Sequence, residues 1–334
     1  MSTEKLKTKK MRTVNAQNSK SKNSINLQNN IKNIKAAWQL YVLLLLPVIY
    51  IIIFAYIPMY GVQIAFKDFR PSKGIIGSPW ARNGLFEHFK ILKSAKFKDA
   101  FINTITISVY SLAAGFPIPI LLALCLNVMR NKAFKKTVQM VSYLPHFIST
   151  VVMVSILTQF FNTKVGLFGQ IIRYLVPGVS YTVSPIGSAA AFPHLYVWSG
   201  IWQNMGWSTI IYLAALSSID MEQTEAAMID GATRFQRVIH IDIPAILPTA
   251  IILLIMDAGK IMNVGFEKAL LMQNDTNLNS SEIIATYSYR RGFTDAVPNY
   301  SQSAAIGLFN SVINLILIIT VNKISRKVSE TSLW

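Results

Sequence analysis

The sequence of 334 residues predicts an all-α integral membrane protein with six transmembrane helices. Hydrophobic residues make up 52% of the chain and charged residues only 14%, which leaves too much apolar surface for a soluble domain. The mean hydropathy of +0.40 indicates the same class of protein. Six apolar runs are long enough, or nearly so, to cross a hydrocarbon core of about 30 Å, and helices are the default structure for such runs.

The six predicted spans differ in regularity. The second is long and contains Gly115, Pro117 and Pro119, so we expect a kink or a tilt there, with neighbouring helices satisfying the freed carbonyl groups. The sixth is the shortest. The predicted spans cover residues 38–58, 100–129, 138–161, 195–219, 245–270 and 305–322.

Lysine and arginine residues set the predicted orientation, because they are enriched on the cytoplasmic side of a membrane. Residues 1–37 carry nine basic residues and one acid, Glu4, and are predicted to be a disordered cytoplasmic tail. Six crossings place a second short tail, residues 323–334, in the cytoplasm as well. The connection 67–99 would then lie outside, although it holds eight basic residues against three acids, which this rule does not favour.

A polar segment lies between two long apolar runs and reads EAAMIDGATRFQRVIHIDIP from Glu225 to Pro244. Charge beside a membrane span is costly unless it faces water or a partner, so the segment is predicted to be a docking surface. The alternative is an amphipathic interfacial loop that has no protein partner.

Capping and turn signals predict that this segment folds as a two-helix hairpin. Ser218 or Asp220 can cap the first helix, and Gly231 can adopt the left-handed conformation that a tight turn needs. A second short helix is predicted over residues 233–239, with Pro244 ending it.

The spacing of this segment resembles the EAA loop of ABC importer permeases. Glu-Ala-Ala is followed after three residues by Gly231, and after nine more by Ile241-x-Ile243-Pro244, with Ile243 where the family usually has leucine. The stretch FKDAFINT at residues 97–104 also resembles the entry to the second span of carbohydrate-type importers. The resemblance implies the six-span core of a type I importer permease over residues 38–322, with its coupling loop at 220–244.

The resemblance also implies partners. The loop would insert into a cleft on a cytoplasmic ATPase dimer, which binds the ATP, so no cofactor is expected on this chain. A second permease subunit would complete the pathway, and an extracellular solute-binding protein would deliver the cargo from outside the bacterial plasma membrane. Glu225 would make the polar contact and Gly231 the bend. The implied coupling residues are Glu225, Ala226, Ala227, Gly231, Ile241 and Pro244.

Polar residues inside spans indicate a substrate path, because each must face a pathway or another helix rather than lipid. The candidates are Gln203, Asn204, Trp207, Asp257, Lys260 and Asn263. Aromatic rings suit the C–H faces of a sugar, while amide and carboxylate groups suit its hydroxyls. The alternatives are that Asp257 pairs with Lys260 within one helix, and that Trp198 and Trp202 belong to an interfacial belt.

Catalytic and nucleic-acid-binding signals are missing from the sequence. It has no glycine-rich phosphate loop, its four histidines are dispersed, and a single cysteine, Cys125, cannot form an internal disulfide. The basic tail lacks interleaved aromatic residues, so no nucleic-acid partner is expected. The sequence therefore predicts no metal site and no enzyme activity.

The predicted function is the permease subunit of a binding-protein-dependent ABC importer. It would translocate a carbohydrate, either an oligosaccharide or a polysaccharide, by ATP-driven alternating access. The alternatives are a permease of the same kind for another solute, such as a peptide or phosphate, and a self-sufficient secondary transporter or membrane receptor.

Overall fold

The computed structural model describes residues 37–175 and 184–328. The predicted N-terminal tail lies outside the described residues except for Ala37, and the end of the predicted C-terminal tail, residues 329–334, does too. The last helix continues through Val328, six residues past the predicted end of the sixth span at residue 322. Its final turns carry basic residues, which stabilise a helix C-terminus through its dipole.

The described residues are almost entirely helical, with one isolated β-bridge between Lys67 and Trp80. Segments with π-type hydrogen bonding occur at Ile52–Tyr56, Val238–Asp242 and Arg290–Thr294. The α-helices are α1 (Trp38–Ile51), α2 (Ile57–Met59), α3 (Gly74–Gly77), α4 (Ala95–Gly115), α5 (Pro117–Val128), α6 (Lys132–Tyr143), α7 (Thr150–Phe160), α8 (Leu167–Leu175), α9 (Phe192–Ser217), α10 (Met221–Ile229), α11 (Arg234–Arg237), α12 (Ile243–Ala258), α13 (Phe266–Met272), α14 (Leu278–Ser281), α15 (Ile284–Tyr289) and α16 (Tyr300–Val328).

Within residues 37–175 and 184–328, four continuous helical stretches are long and apolar enough to cross a membrane, or five if one bent pair counts as a span. The predicted number of six is therefore not confirmed. The predicted fourth span forms a single helix of 26 residues, α9, but its amide and tryptophan side chains make it less apolar than the others. The four stretches are Trp38–Phe66, Ala95–Val128, Arg234–Ala258 and Tyr300–Ile324.

The predicted third span is broken rather than continuous. Helix α6 and the following 3-10 turn, Leu144–Phe147, meet α7 at an angle of 102°. Pro145 lies in that turn, and Ser149 begins the next helix by accepting a hydrogen bond from the backbone N–H of Val152 at 3.4 Å. In the second span, α4 passes into α5 at Phe116, between Gly115 and Pro117, where the sequence predicts a kink. Phe116 keeps helical dihedral angles, φ −66° and ψ −47°, so the two helices form one continuous stretch.

The predicted fifth span, residues 245–270, is too long at its C-terminal end. Helix α12 ends at Ala258, residues 259–265 are not helical, and α13 then begins at Phe266. Non-helical backbone inside a membrane protein must be buried in protein or line a water-filled cavity, because lipid offers it no hydrogen bonds.

The chain divides into two compact units, of which the first ends at Val62. Helix α1 in the first unit buries none of its residues within the structure, as expected for a helix that faces lipid. In the second unit, α9 packs against α4, α5, α6 and α12 and occupies the centre. One apolar cluster joins α4, α7, α9 and α13, and includes Ile107, Val154, Phe192, Val197, Ala269 and Met272.

A glycine allows α9 and α6 to approach backbone to backbone. A Cβ atom at Gly206 would overlap the carbonyl oxygen of Ser142, closer than any real contact. Only glycine fits there without moving one helix, so Gly206 fixes the position of α9 beside the break between α6 and α7.

Candidate functional site

The predicted docking segment forms a hairpin that we call the coupling knob (residues 220–244). Its first helix, α10, begins at Asp220, whose side chain accepts a hydrogen bond from the backbone N–H of Glu222 at 3.0 Å. Gly231 has φ +78°, the left-handed conformation that the sequence predicts for it. The backbone N–H groups of Gly231 and Ala232 bond to the carbonyls of Met228 (3.2 Å) and Ala227 (2.9 Å), which is a Schellman helix end.

The second half of the knob differs from the prediction. Thr233 and Gln236 form a capping box at the start of α11, but the helical chain then continues through Val238–Asp242 into α12. Pro244 does not end the helix, so that prediction is wrong. The reason is its position in the first turn after a π-type segment, where the missing N–H of a proline costs little.

The knob presents a mixed apolar and charged surface. Glu225 and Ala226 are exposed, as is Pro244, while Ala227 and Ile241 are half-buried. Large apolar side chains at the tip are also exposed, namely Met221, Met228, Ile229 and Phe235 at 74%, 49%, 86% and 73%. Such a patch, next to charges and at the end of a membrane-spanning stretch, is typical of a protein-docking surface.

The base of the knob is fixed to the bundle. Asp242 is buried, and the side-chain amide of Asn127 at the end of α5 donates a hydrogen bond to its carboxylate at 3.3 Å. Beneath it lies an apolar cluster formed by α5, α9 and α12, whose buried members are Ala123, Leu124, Tyr212, Leu216, Ile246 and Ala250. A force on the knob would therefore act on three helices at once.

All six predicted substrate-path residues line one cavity of about 540 Å³. It lies between α4, the start of α5, α9, the end of α12 and the non-helical segment 259–265. Trp198 and Trp202 do not line it, and the indole N–H of Trp198 bonds instead to the hydroxyl of Tyr110 at 2.8 Å. The roles of the six residues remain predictions, but the structure brings them together from segments about 60 residues apart along the chain.

On one wall of the cavity, α9 meets the break between α6 and α7. The side-chain amide of Gln203 donates to the carbonyl oxygen of Ile148 at 2.8 Å, which satisfies a group left free by the break. The side-chain oxygen of Asn204 lies 3.0 Å from Nδ1 of His146, and Trp207 stacks on the same imidazole at 4.5 Å between ring centroids. These contacts hold polar groups at the cavity wall in fixed positions.

Another wall of the cavity is formed by the end of α12 and the non-helical segment 259–265. Asp257 and Lys260 interact electrostatically, but not within one helix as the alternative predicts, because α12 ends at Ala258. Both residues line the cavity. The side-chain oxygen of Asn263 accepts hydrogen bonds from the amides of Asn310 (3.3 Å) and Asn314 (3.1 Å) on α16. Asn310 is ten residues into α16, or about 15 Å along its axis, so this wall packs against the middle of a helix that is long and apolar enough to cross a membrane.

Sequence reasoning missed several residues at this cavity or its wall, of which three have informative polar groups. Lys268 and Ser108 line the cavity, and His146 holds the amide and indole groups described above. A signal for Lys268 was present, since a lysine within an apolar run is a functional candidate by default. Nothing in the sequence pattern indicates the contacts of Ser108 or His146.

No group of three or more His, Cys, Asp or Glu side chains within the described ranges is arranged to hold a metal ion. Cys125 is exposed and free.

Residues 115–330 match the family described as the binding-protein-dependent transport system inner membrane component. The chain belongs to this family. It is therefore a permease, a multi-pass membrane subunit of a transport system rather than an enzyme, as the sequence predicts.

Relatives and solved structures extend this likeness over most of the permease. It is 40% identical to Protein LplB of Bacillus subtilis over 296 residues, which covers 88% of this chain and 91% of that protein. It is 37% identical over 295 residues to the polygalacturonan/rhamnogalacturonan transport system permease protein YteP of the same organism, covering 88% and 90%. A chain of a bacterial ABC transporter that imports the acidic polysaccharide alginate matches at 38% identity and a TM-score of 0.80, covering 89% of the permease and 98% of that chain.

Proposed function

We propose that this permease carries an oligosaccharide or polysaccharide across a bacterial plasma membrane, as one subunit of an ABC importer. The observation that carries the proposal is the cavity of about 540 Å³, because all six predicted substrate-path residues line it. Its indole, amide and carboxylate groups match the apolar faces and hydroxyls of a sugar. Exposed, distributed contacts of this kind also allow cargo to leave again.

The similar proteins support a carbohydrate over a peptide or phosphate. One is named for transport of polygalacturonan and rhamnogalacturonan, and another belongs to an importer of alginate. A second structure of the alginate importer, 38% identical to this permease, is a complex with a periplasmic protein that holds an alginate pentasaccharide. A secondary transporter or a receptor would need neither the binding protein nor the knob.

The partners follow from the same proposal. A binding protein delivers cargo from outside, a second permease completes the pathway, and a cytoplasmic ATPase dimer binds the ATP and receives the knob. Both termini of the permease are then cytoplasmic. Helix α9 leads into the knob and α12 leads out of it, and both also line the cavity, so movement of the knob changes the cavity directly.

The test is uptake by the complete importer in proteoliposomes. Asn263→Ala removes the acceptor for two amides at the cavity wall, and we expect saccharide uptake to fall about tenfold while the ATPase still co-purifies. Ser311→Ala is the control, because this exposed hydroxyl on α16 bonds only to its own helix at Gly307.

Two outcomes would count against the proposal. If the wild-type importer moves no saccharide, the assigned cargo class is wrong. If Asn263→Ala, Asp257→Ala and Lys260→Ala all retain full uptake, the cavity is not the path.

A further inference from the structure

A buried lysine on the cavity wall has no acidic partner among the residues that the structure describes. Lys268 on α13 is only 9% exposed and lines the cavity described above. Its ammonium donates a hydrogen bond to the carbonyl oxygen of Tyr196 at 2.8 Å and lies 4.7 Å from the centre of the Tyr196 ring. An ammonium carries three N–H donors, so this carbonyl leaves the others available.

The surrounding charges do not neutralise Lys268. The ion pairs found among the described residues are His88 with Asp68, Lys90 with Glu87, Arg290 with Glu282 and Arg291 with Asp295, and none includes it. The other charged groups on the cavity wall are Asp257 and Lys260, which interact with each other. The cavity therefore carries one net positive charge, and buried charges in proteins are normally paired or bound to a ligand.

Two further features of the cavity wall bear on the binding of a ligand there. Gly200 on α9 lies opposite, and a Cβ atom there would come within 3.2 Å of the Lys268 nitrogen, so the absence of a side chain leaves that approach open. The hydroxyl of Ser108 on α4 lines the same cavity, is buried, and has no hydrogen-bond partner. Two polar groups on this cavity wall thus retain unused hydrogen-bonding capacity.

We propose that Lys268 determines cargo specificity by binding a carboxylate of the saccharide, so that the cargo is an oligosaccharide of hexuronic acid residues. This inference rests on the proposed function. A carboxylate matches the ammonium in charge, and hydrogen bonds between charged partners are about twice as strong as neutral ones. A rotation of the Ser108 side chain would present its unused hydroxyl to a sugar hydroxyl of the same cargo.

Lys268→Met tests the proposal in the complete importer. Methionine keeps an unbranched, flexible apolar stem but has no charge. Uptake is measured for galacturonate and alginate pentasaccharides and for their uncharged methyl esters, and the acid-to-ester ratio of the variant is divided by that of the wild type. The division cancels any preference of the binding protein. We expect the ratio to fall about tenfold to a hundredfold for Lys268→Met and to stay within about twofold for Lys268→Arg.

A second buried lysine offers a matched control. Lys67 is 5% exposed, donates to the carbonyl oxygen of Ile75 at 2.7 Å, and lies 4.9 Å from the ring centre of Trp80, but it does not line the cavity. Lys67→Met removes the same chemistry elsewhere in the chain. We expect it to leave the acid-to-ester ratio unchanged, whatever it does to the amount of assembled protein.

The outcomes separate this inference from the proposed function. An equal loss of acid and ester uptake in Lys268→Met gives Lys268 a structural role and overturns the inference. Uptake of uncharged saccharides alone by the wild type also overturns it, yet leaves the carbohydrate permease standing. No uptake of any saccharide overturns both. If Lys268→Met fails to assemble, Lys268→Gln replaces it and is read in the same way.

Discussion

The coupling knob and the substrate cavity are built in opposite ways from the same polypeptide. The knob is one contiguous stretch, and the hydrogen bonds that shape it join residues two to five positions apart, such as Asp220 with Glu222 and Ala227 with Ala232. The cavity is assembled from distant segments, and Lys268 reaches a carbonyl 72 residues away. Local chemistry therefore determines the form of the knob, whereas helix packing determines the form of the cavity.

The largest effect is expected at the turn of the knob. Gly231→Val meets no neighbouring atom, so its cost comes from the positive φ alone, about 1–2 kcal/mol and more for a β-branched residue. Because the turn orients the exposed surface, we expect most of the co-purifying ATPase to be lost while the membrane level stays near that of the wild type. A pull-down of the permease from solubilised membranes measures the amount of ATPase that co-purifies with it.

Gly84→Val is the matched variant for this test. Gly84 also has a positive φ, +112°, and a Cβ atom there would meet no other atom within 4 Å, but it lies outside the knob. Equal loss of the ATPase in both variants would mean that general strain, and not the direction of the knob, governs association.

A smaller effect is expected where the cavity wall depends on packing. Gly206→Ala forces a methyl group into the carbonyl oxygen of Ser142, and overpacking of this kind costs about 1–3 kcal/mol. We expect a lower unfolding temperature in detergent and reduced uptake, because α9 moves away from the break. Gly307→Ala on α16, where a Cβ atom would meet no other atom within 4 Å and which does not line the cavity, should change neither by much.

The smallest effect is expected at the hydrogen bond that joins the base of the knob to α5. Asn127→Ala removes the hydrogen bond to buried Asp242 and costs about 1–3 kcal/mol through the unsatisfied carboxylate. We expect more ATP hydrolysed per saccharide moved, since the knob is held less firmly. Asn127→Ala, Asp242→Ala and the double variant give the coupling energy, and additive losses would show that this contact does not transmit the motion.

The contrast also explains what could be predicted. The cap and the turn at Gly231 depend on neighbouring residues, so the sequence predicted the turn and narrowed the cap to Ser218 or Asp220, of which the structure has Asp220. It failed at Pro244, because a π-type segment cannot be recognised from residue pattern and changes what a proline costs. The break after Ala258 was missed because an apolar run resembles a continuous span. His146 and Ser108 were missed because only tertiary packing brings them to the cavity or its wall.

The π-type segment Val238–Asp242 has one further consequence. Such a segment holds one residue more than an α-helix needs over the same rise, and its wider turn accommodates that residue. Deleting a single residue there would restore α-helical hydrogen bonds and leave the helical segments on both sides in phase. The base of the hairpin would thus tolerate the loss of one residue without a change in the direction of Glu225.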